Sequence, residues 1–539
     1  MVRKAYVSVL FLLILFASLA VTGCDSGKKE TKIEPLDLSG PIATLTRQAQ
    51  IDFPVTLTPS KIPTSTPKPV KAQQSAVLNI PANTSQKLDA IPTLRADMVT
   101  YEIAEGDTIS KIATSFQISK KALIEANDLA NPDIISVGQK LNIPPQTPDI
   151  QDEGFLILPD ADMIYGPAVS GFQLAEFNQE FPNSYLIGYI EPTPTPIPTK
   201  EAEELTEPVL FEARSGSEIL EQIALQNSVN PKVLLALMEF QTASITNPRP
   251  NGNQRLGVLV HLGLRGTNFA NELAWTADKL NYGYYQWKNN RINQWILNDD
   301  TVVAVNPEIN AATAALQYFF SQIYGKDDWL YAVSEFGFNM TYRKLFDITE
   351  INYRQDALPA SFPELSFPFP AGETWNFTSG PHYGWSNGTP WSAVDFIPPK
   401  VIGCESSDAW VVAAADGIII YSDRGVVLQD LDGDGDPATG WLLVYLHIAT
   451  RDRIANGQTV VTGDYLGHTS CEGGISNGTH IHFARRYNGE WIPIDSETPL
   501  IMSGWTVVPT GSVYDGFLVK GDQSVEAWYF RTEASEISY

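Results

Sequence analysis

Five of the six histidines of this chain fall within a stretch of about a hundred residues, and one aspartate in an apolar segment there joins them as a candidate metal ligand. These residues are His382, Asp395, His447, His468, His480 and His482. Imidazole and carboxylate groups are ligands that suit zinc, and three protein ligands with one open position let the metal activate water. The stretch therefore predicts a zinc site that can support hydrolysis.

The pair His480 and His482 alternates with the apolar Ile481 and Phe483, as in a half-buried strand. Side chains two positions apart on a strand share one face. Both imidazole rings are therefore expected to point into one cavity, while the apolar neighbours pack behind them.

Two further apolar segments carry other members of the set. Asp395 lies within 392–397, and His447 lies near the end of an apolar strand predicted over 441–448. An ionised carboxylate among apolar side chains is costly unless a cation or hydrogen bonds compensate it. A metal ion is the simplest cation to expect beside Asp395.

With these residues, the region from about 380 to 494 resembles the lysostaphin and beta-lytic type zinc metalloendopeptidases, which cut peptide cross-links in bacterial cell walls. The resemblance implies that the metal ligands are His382, Asp395 and His482, and that the catalytic residues are His447 and His480. The thirteen positions from His382 to Asp395 resemble the beta-lytic branch. His468 and His261 match no motif position and are predicted to be non-catalytic.

The implied function is hydrolysis of the peptide cross-links of peptidoglycan, with zinc as the cofactor. Zinc lowers the pKa of bound water and polarises the scissile carbonyl, while the two catalytic histidines would orient the water and handle protons. A domain can also keep the fold of an enzyme family without its catalytic activity. The alternative is a catalytically inactive peptidoglycan-binding scaffold or a regulator of cell-wall hydrolases.

A second metal site is suggested by an acidic run in which carboxylates alternate with glycines. The run contains Asp430, Asp432, Asp434 and Asp436 and resembles the first half of a calcium-binding EF-hand loop. Trp441 stands where the closing glutamate would be. A calcium site and a solvated acidic turn both remain open as interpretations.

The first 24 residues have the pattern of a secretory signal, with a basic start, an apolar run and small residues before Cys24. This pattern resembles a bacterial lipobox, which implies cleavage before Cys24 and acylation of that residue. The alternative is an uncleaved transmembrane anchor, because the apolar run is near the length needed to span a bilayer. Both interpretations predict an extracytoplasmic protein that is anchored to the cell membrane.

Export gives the other two cysteines, Cys404 and Cys471, the chance to form a disulfide. Such a disulfide would stabilise its domain by about 4 kcal/mol on the chain-entropy account. The alternatives are two buried free thiols or two metal ligands.

Composition divides the rest of the chain. Residues 25–97 and 191–208 are rich in proline and threonine and are predicted to be linkers, the first of them disordered. The other predicted regions are a glycan-binding module at 98–144, a short segment of unknown role at 145–190, a helical region at 209–360, the zinc peptidase domain at 361–510 and a C-terminal extension at 511–539.

The module at 98–144 contains two ordered signals, Gly106-Asp107-Thr108 and Gly138-Gln139-Lys140-Leu141. Asp107 is the expected N-cap of its first helix. The module resembles the LysM domain, which binds glycans containing N-acetylglucosamine in a shallow groove.

In the helical region, Asn230 and Pro231 offer an N-cap and a first helical position for a helix that runs to Thr242. The helix faintly resembles the catalytic helix of lysozyme-like transglycosylases, but Gln241 replaces the expected glutamate. Glutamine cannot act as a general acid, so the region is predicted to be a degenerate relative unless Glu239 substitutes. A following aromatic cluster predicts either sugar stacking or helical core, and consists of Tyr282, Tyr284, Tyr285 and Trp287.

The predicted fold class is multidomain α+β, with a small βααβ LysM module, a mostly α-helical middle region and an antiparallel β-sheet peptidase domain. The net charge of −26 argues against nucleic acid as a partner, because binding a polyanion requires clustered Lys and Arg. The expected partners are the peptide stems and glycan of peptidoglycan, and the membrane through a lipid anchor.

Overall fold

The computed structural model describes residues 88, 90–191, 213–248, 268–349, 362–494 and 498–539. The predicted signal sequence with Cys24, most of both linkers and His261 lie outside these residues. Within the described ranges, no helix is both long enough and apolar enough to span a membrane.

The module at the start of the described residues has the βααβ order that the sequence predicts. Its elements are β1 (Val99–Glu102), α1 (Ile109–Ser115), α2 (Lys120–Glu125) and β2 (Lys140–Ile143). The two strands pair antiparallel along their whole length, and the two helices pack on them through a small apolar core.

The predicted N-cap of α1 is wrong by one residue. The side chain of Thr108 caps the helix by accepting a hydrogen bond from the backbone N–H of Lys111. The Asp107 carboxylate instead accepts hydrogen bonds from the Tyr101 hydroxyl and the Ala104 N–H, at 2.7 and 2.8 Å. Asp107 therefore fixes the turn that leads into the helix.

The middle region is mostly helical, as predicted. Its helices are α3 (Asp160–Met163), α4 (Leu174–Glu180), α5 (Tyr185–Gly188), α6 (Gly216–Asn227), α7 (Pro231–Thr242), α8 (Phe269–Lys288), α9 (Ala311–Ile323), α10 (Lys326–Ala332) and α11 (Phe338–Leu345), with a 3-10 turn at Pro167–Val169. Its short strands are β3 (Ile150–Gln151), β4 (Ile190–Glu191), β5 (Arg214–Ser215), β6 (Gln294–Ile296) and β7 (Val302–Ala304). Helix α7 begins as the sequence predicts, because the Asn230 side chain accepts from the Lys232 N–H and Pro231 follows it.

One apolar core joins the segment before the second linker to the helices after it. Leu158 and Leu186 are fully buried in the same cluster as Leu234 and Phe319. The segment at 145–190 is therefore structurally part of the helical region. The aromatic cluster belongs mainly to this core, with the buried side chains Tyr284, Tyr285 and Trp287.

The remaining residues form β-structure. Its strands are β8 (Trp375–Tyr383), β9 (Trp391–Ile397), β10 (Trp410–Val412), β11 (Gly417–Asp423), β12 (Val426–Asp430), β13 (Trp441–Leu446), β14 (Thr459–Val460), β15 (Tyr465–His468), β16 (Ile481–Tyr487), β17 (Glu490–Trp491), β18 (Ile501–Met502), β19 (Trp505–Pro509), β20 (Gly516–Lys520), β21 (Gln523–Glu526) and β22 (Glu536–Ile537), with a 3-10 turn at Glu533–Ser535. The main sheet is antiparallel in the order β14-β11-β12-β13-β16-β9-β8-β22, and β17 pairs with β16.

The segment predicted as a C-terminal extension is an integral part of this β-structure. Strand β22 pairs with β8 at one edge of the main sheet, while β20 and β21 belong to a four-stranded sheet with β18 and β19. Leu518 and Ile537 are buried in the core behind the main sheet.

Candidate metal centre

The strands of the main sheet bring Asp395 and His482 together on one face. Within their pairing, His482 of β16 lies opposite Asp395 of β9. Residues two positions apart on a strand share a face, and Ala393 and Ala484 pack into the core of the helical region. Both side chains therefore project on the face that the helical region covers. His382 of β8 lies opposite Ala393 and joins them there.

The three predicted metal ligands converge. His382 Nε2 lies 2.9 Å from His482 Nδ1, and each of these nitrogens lies 3.1 Å from Asp395 Oδ1. A tetrahedral zinc with bonds of about 2.0–2.1 Å separates its ligand atoms by about 3.3 Å. The triangle of donor atoms therefore has nearly the size that zinc coordination requires.

Backbone carbonyls fix which nitrogen of each ring faces the site. His382 Nδ1 donates to the Gly380 carbonyl at 2.9 Å, and His482 Nε2 donates to the Gly384 carbonyl at 3.0 Å. The opposite nitrogens then face the Asp395 carboxylate, to which a protonated ring can donate and where a neutral ring offers a lone pair to a metal. The carboxylate needs a positive charge beside it, and carbonyl support of this kind is typical of metal-binding imidazoles.

Asp395 is held in its ionised form. Burial alone would raise the pKa of this carboxyl, but the charges of His382 and His480 and hydrogen bonds from His382 and His482 outweigh burial. The pKa of Asp395 consequently lies well below its ordinary value. Its other carboxylate oxygen, Oδ2, lies 3.8 Å from His480 Nε2.

The two predicted catalytic histidines lie next to each other beside this triangle. Their ring centroids are 4.4 Å apart. His447 Nδ1 donates to the Glu472 carbonyl and His480 Nδ1 donates to the Gly478 carbonyl, both at 2.7 Å. These bonds leave Nε2 as the nitrogen of each ring that is available for proton transfer.

His447 occupies an unusual backbone conformation. Strand β13 ends at Leu446, earlier than the sequence predicts, and His447 follows with a φ of +70°, in the left-handed region that costs free energy for a residue with a Cβ. Burial, followed by the charges of His480 and His482, holds the pKa of His447 well below its usual value. The ring is therefore neutral at neutral pH.

Tyr514 is a member of the site that the sequence did not reveal. Its ring stacks on the His382 ring with centroids 4.9 Å apart. The backbone of Tyr514 also exchanges hydrogen bonds with the neighbours of His382, donating to the Pro381 carbonyl and accepting from the Gly380 N–H. No motif marks this tyrosine, because it lies in the segment that was predicted to be an extension.

Other predicted residues lie outside the centre. Cys404 and Cys471 form the predicted disulfide, and His468 packs against Trp410 away from the ligand triangle. In the acidic run, three carboxylates lie within 4.8 Å of one another, those of Asp430, Asp432 and Asp434. The fourth, Asp436, is not in that group and accepts a hydrogen bond from the Ser170 hydroxyl.

The helical region offers no free general acid on α7. Both carboxylate oxygens of Glu239 are engaged, accepting from the Ile245 and Thr246 N–H groups and from the Thr246 hydroxyl. Glu239 and Gln241 line a cavity of about 610 Å³. These contacts engage Glu239, and the assignment of the region as a degenerate lysozyme relative stays a prediction from the sequence.

Three protein families match the chain. Residues 401–494 match peptidase family M23, residues 101–144 match the LysM domain, and residues 156–358 match the N-terminal domain of LasA. Residues 401–494 of the chain are homologous to the M23 metallopeptidases. The M23 match begins after His382 and Asp395, so the assignment of those two ligands depends on the geometry of the centre and on the resemblance stated above.

Two curated relatives illustrate the homology. Protease LasA of Pseudomonas aeruginosa is 26% identical over 304 residues, which are 52% of this chain and 68% of that protein. The beta-lytic metalloendopeptidase of Lysobacter enzymogenes is 26% identical over 153 residues, covering 28% of this chain and 83% of its own. Among solved structures, the M23 metalloprotease pseudoalterin from the deep sea is 25% identical, covers 31% of this chain and 97% of its own, and has a TM-score of 0.27.

Proposed function

We propose that this protein is a zinc endopeptidase that hydrolyses the peptide cross-links of peptidoglycan. The observation that carries the proposal is the convergence of His382, Asp395 and His482 beside the His447 and His480 pair. Two nitrogen donors and one oxygen donor, with carbonyl support behind each imidazole, suit a zinc ion that keeps one position for water. When bound, zinc supplies Lewis acidity that polarises a carbonyl and acidifies water.

We assign the proton transfers of the reaction to two different histidines. His447 is neutral, and its Nε2 has a lone pair because Nδ1 donates to a carbonyl. We therefore assign His447 as the group that accepts a proton from the attacking water. His480, which lies closer to the Asp395 carboxylate, would hold the proton that stabilises the developing oxyanion or protonates the leaving amine.

The LysM module supports the choice of substrate. We propose that it binds the glycan of the same polymer whose peptides the metal centre cuts, which raises the local substrate concentration. The proposed site of action is extracytoplasmic. Attachment to the membrane through a lipidated Cys24 stays a prediction from the sequence, since that residue lies outside the described ranges.

Release of peptide from purified sacculi tests the proposal. The full chain should bind one zinc ion and generate new amino termini from sacculi at neutral pH. A chelator should stop the reaction, and stoichiometric zinc added after the chelator is removed should restore it, because the three ligand atoms already converge on one position. The measurements are metal content by mass spectrometry and free amino groups in the sacculus digest.

The control for this assay is the same protein with chelator and excess zinc added together before the substrate. Bound zinc without new amino termini would support the alternative function, a peptidoglycan-binding scaffold or a regulator of hydrolases. Reducing sugar ends without new amino termini would instead indicate glycan cleavage by the helical region.

We also propose that Asp430, Asp432 and Asp434 bind calcium. Burial and the neighbouring carboxylates of Asp430 and Asp434 raise the pKa of Asp432 to about 6. Because the folded value exceeds the unfolded one, the folded chain holds extra protons between about pH 4 and 6, and its stability falls as the pH rises through that window. A bound calcium ion would replace those protons.

Calcium should therefore raise the unfolding temperature at pH 7.5 but not at pH 5. Millimolar calcium should have no such effect on Asp432→Asn, which removes one ligand charge. Asp522→Asn, which changes an exposed carboxylate between β20 and β21, should respond as the parent does. An equal thermal shift in the Asp432 variant would eliminate this site.

A further inference from the structure

Several large apolar side chains are exposed on segments that contact the loops around the catalytic histidines. Three consecutive aromatic residues are more than half exposed, namely Trp528 at 53%, Tyr529 at 63% and Phe530 at 68%, and two isoleucines, Ile402 and Ile475, are about three-quarters exposed. Three consecutive exposed aromatic side chains are more than the scattered single apolar residues that a soluble surface normally carries, and such patches often mark interaction sites. We call Trp528, Tyr529 and Phe530 the aromatic platform.

Hydrogen bonds connect the aromatic platform to the segment that carries His480. The Asn477 side chain donates to the Tyr529 hydroxyl at 2.8 Å, and the next residue, Gly478, accepts from His480 Nδ1. On the other side, the Thr479 N–H donates to the carbonyl of Gly403, which follows Ile402. The aromatic platform and Gly403 are therefore both hydrogen-bonded to the segment that carries His480.

The platform is fixed to the sheet rather than loosely attached. The Trp528 N–H donates to the Phe377 carbonyl of β8 at 3.1 Å, and the Arg531 guanidinium donates to the Pro398 carbonyl. The Tyr529 and Phe530 rings contact each other at right angles, with centroids 4.8 Å apart. Rigid aromatic side chains give up little conformational entropy when a ligand binds, which makes them effective anchors.

We propose that the aromatic platform binds a sugar of the glycan strand to which the scissile peptide is attached. This inference rests on the proposed function, because it takes the substrate to be a peptide joined to glycan. The metal centre would bind the peptide. The aromatic platform, which is hydrogen-bonded to the segment that carries His480, would contact the part of the polymer that extends past the metal centre. Indole and phenyl faces offer the broad apolar surface that a pyranose ring can stack on, and the tyrosine hydroxyl supplies a polar edge.

Two soluble substrates distinguish sugar binding by the aromatic platform from peptide hydrolysis at the metal centre. The first is a cross-linked muropeptide dimer that retains its disaccharides, and the second is the same dimer after an amidase has removed the sugars. Trp528→Ala/Phe530→Ala should lower kcat/KM for the first substrate by about tenfold, mainly through KM, because two stacking contacts are lost. For the sugar-free substrate, kcat/KM should be unchanged.

The matched control is Tyr465→Ala, which removes a ring that is 58% exposed on β15. This variant should leave both substrates unaffected. Thermal unfolding should show that all three proteins are folded, because substitutions at such exposed positions change stability little. An equal fall with both substrates would overturn the inference in favour of peptide binding, and unchanged kinetics with both would also overturn it. Failure of the parent protein to cut either substrate would refute the proposed function instead.

Discussion

Replacing Asp395 by alanine should lower zinc affinity by more than about 100-fold, since even losing a group that merely supports a metal ligand costs up to about that much. Asp395 supplies the anionic donor of the triangle, and its oxygen lies 3.1 Å from both donor nitrogens. Without it, two neutral imidazoles hold a divalent cation with no compensating charge. Peptide release from sacculi should fall to the level seen with chelator.

Affinity is best measured by competition with a chromophoric chelator, alongside the sacculus assay. Asp395→Asn keeps the shape of the side chain and removes its charge, so it should lose zinc almost as fully. Asp522→Asn removes a charge from the same domain at an exposed loop and should bind zinc normally. Full zinc occupancy in both Asp395 variants would mean that the metal centre lies elsewhere.

Local sequence patterns predicted those features of the metal centre and of the fold that depend only on residues close together in the chain. The alternation around Ile481 places His480 and His482 on one side because strand geometry repeats every two residues. In the same way, the Asn230-Pro231 pair predicts the start of α7 because both residues act on the first helical turn. The resemblance to a known family then indicated which distant residues come together. Hydrophobic periodicity alone does not give that information.

Features that depend on tertiary contacts were not predictable in the same way. The left-handed backbone at His447 could not be located from the sequence, because histidine adopts it more often than most residues with a Cβ but still uncommonly. Tyr514 reaches His382 only because the C-terminal strands fold back beside β8. The match of residues 156–358 to one family also crosses a proline-rich stretch that composition had marked as a boundary.

The N-cap error at Asp107 has a different origin. Aspartate and threonine are both good N-caps, and they are adjacent here, so propensity could not choose between them. The choice depends on a competing contact, because the Tyr101 hydroxyl and the Ala104 N–H already engage the Asp107 carboxylate. A residue 6 positions earlier in the chain thus decides where the helix begins.

Removing the disulfide with Cys404→Ser/Cys471→Ser should lower the free energy of unfolding by about 4 kcal/mol on the chain-entropy account. The bond joins residues 67 positions apart, so the unfolded chain gains much conformational freedom when it is absent. The bond also joins the two segments that orient the catalytic pair. Glu472 accepts from His447, and Gly403 accepts from Thr479 beside His480.

The measurement is denaturant unfolding of metal-free protein with and without a phosphine reductant, which avoids the zinc binding of thiol reductants. The parent should lose stability on reduction, and the double variant should not respond, because its single remaining cysteine is Cys24. With zinc restored, the variant should also cut sacculi more slowly at temperatures below its unfolding transition, since the carbonyl that accepts from His447 and the segment that carries His480 are both less well fixed. A loss of less than about 1 kcal/mol, which the chain-entropy account does not allow for a loop of this length, would show that the packed sheet alone holds the two segments together.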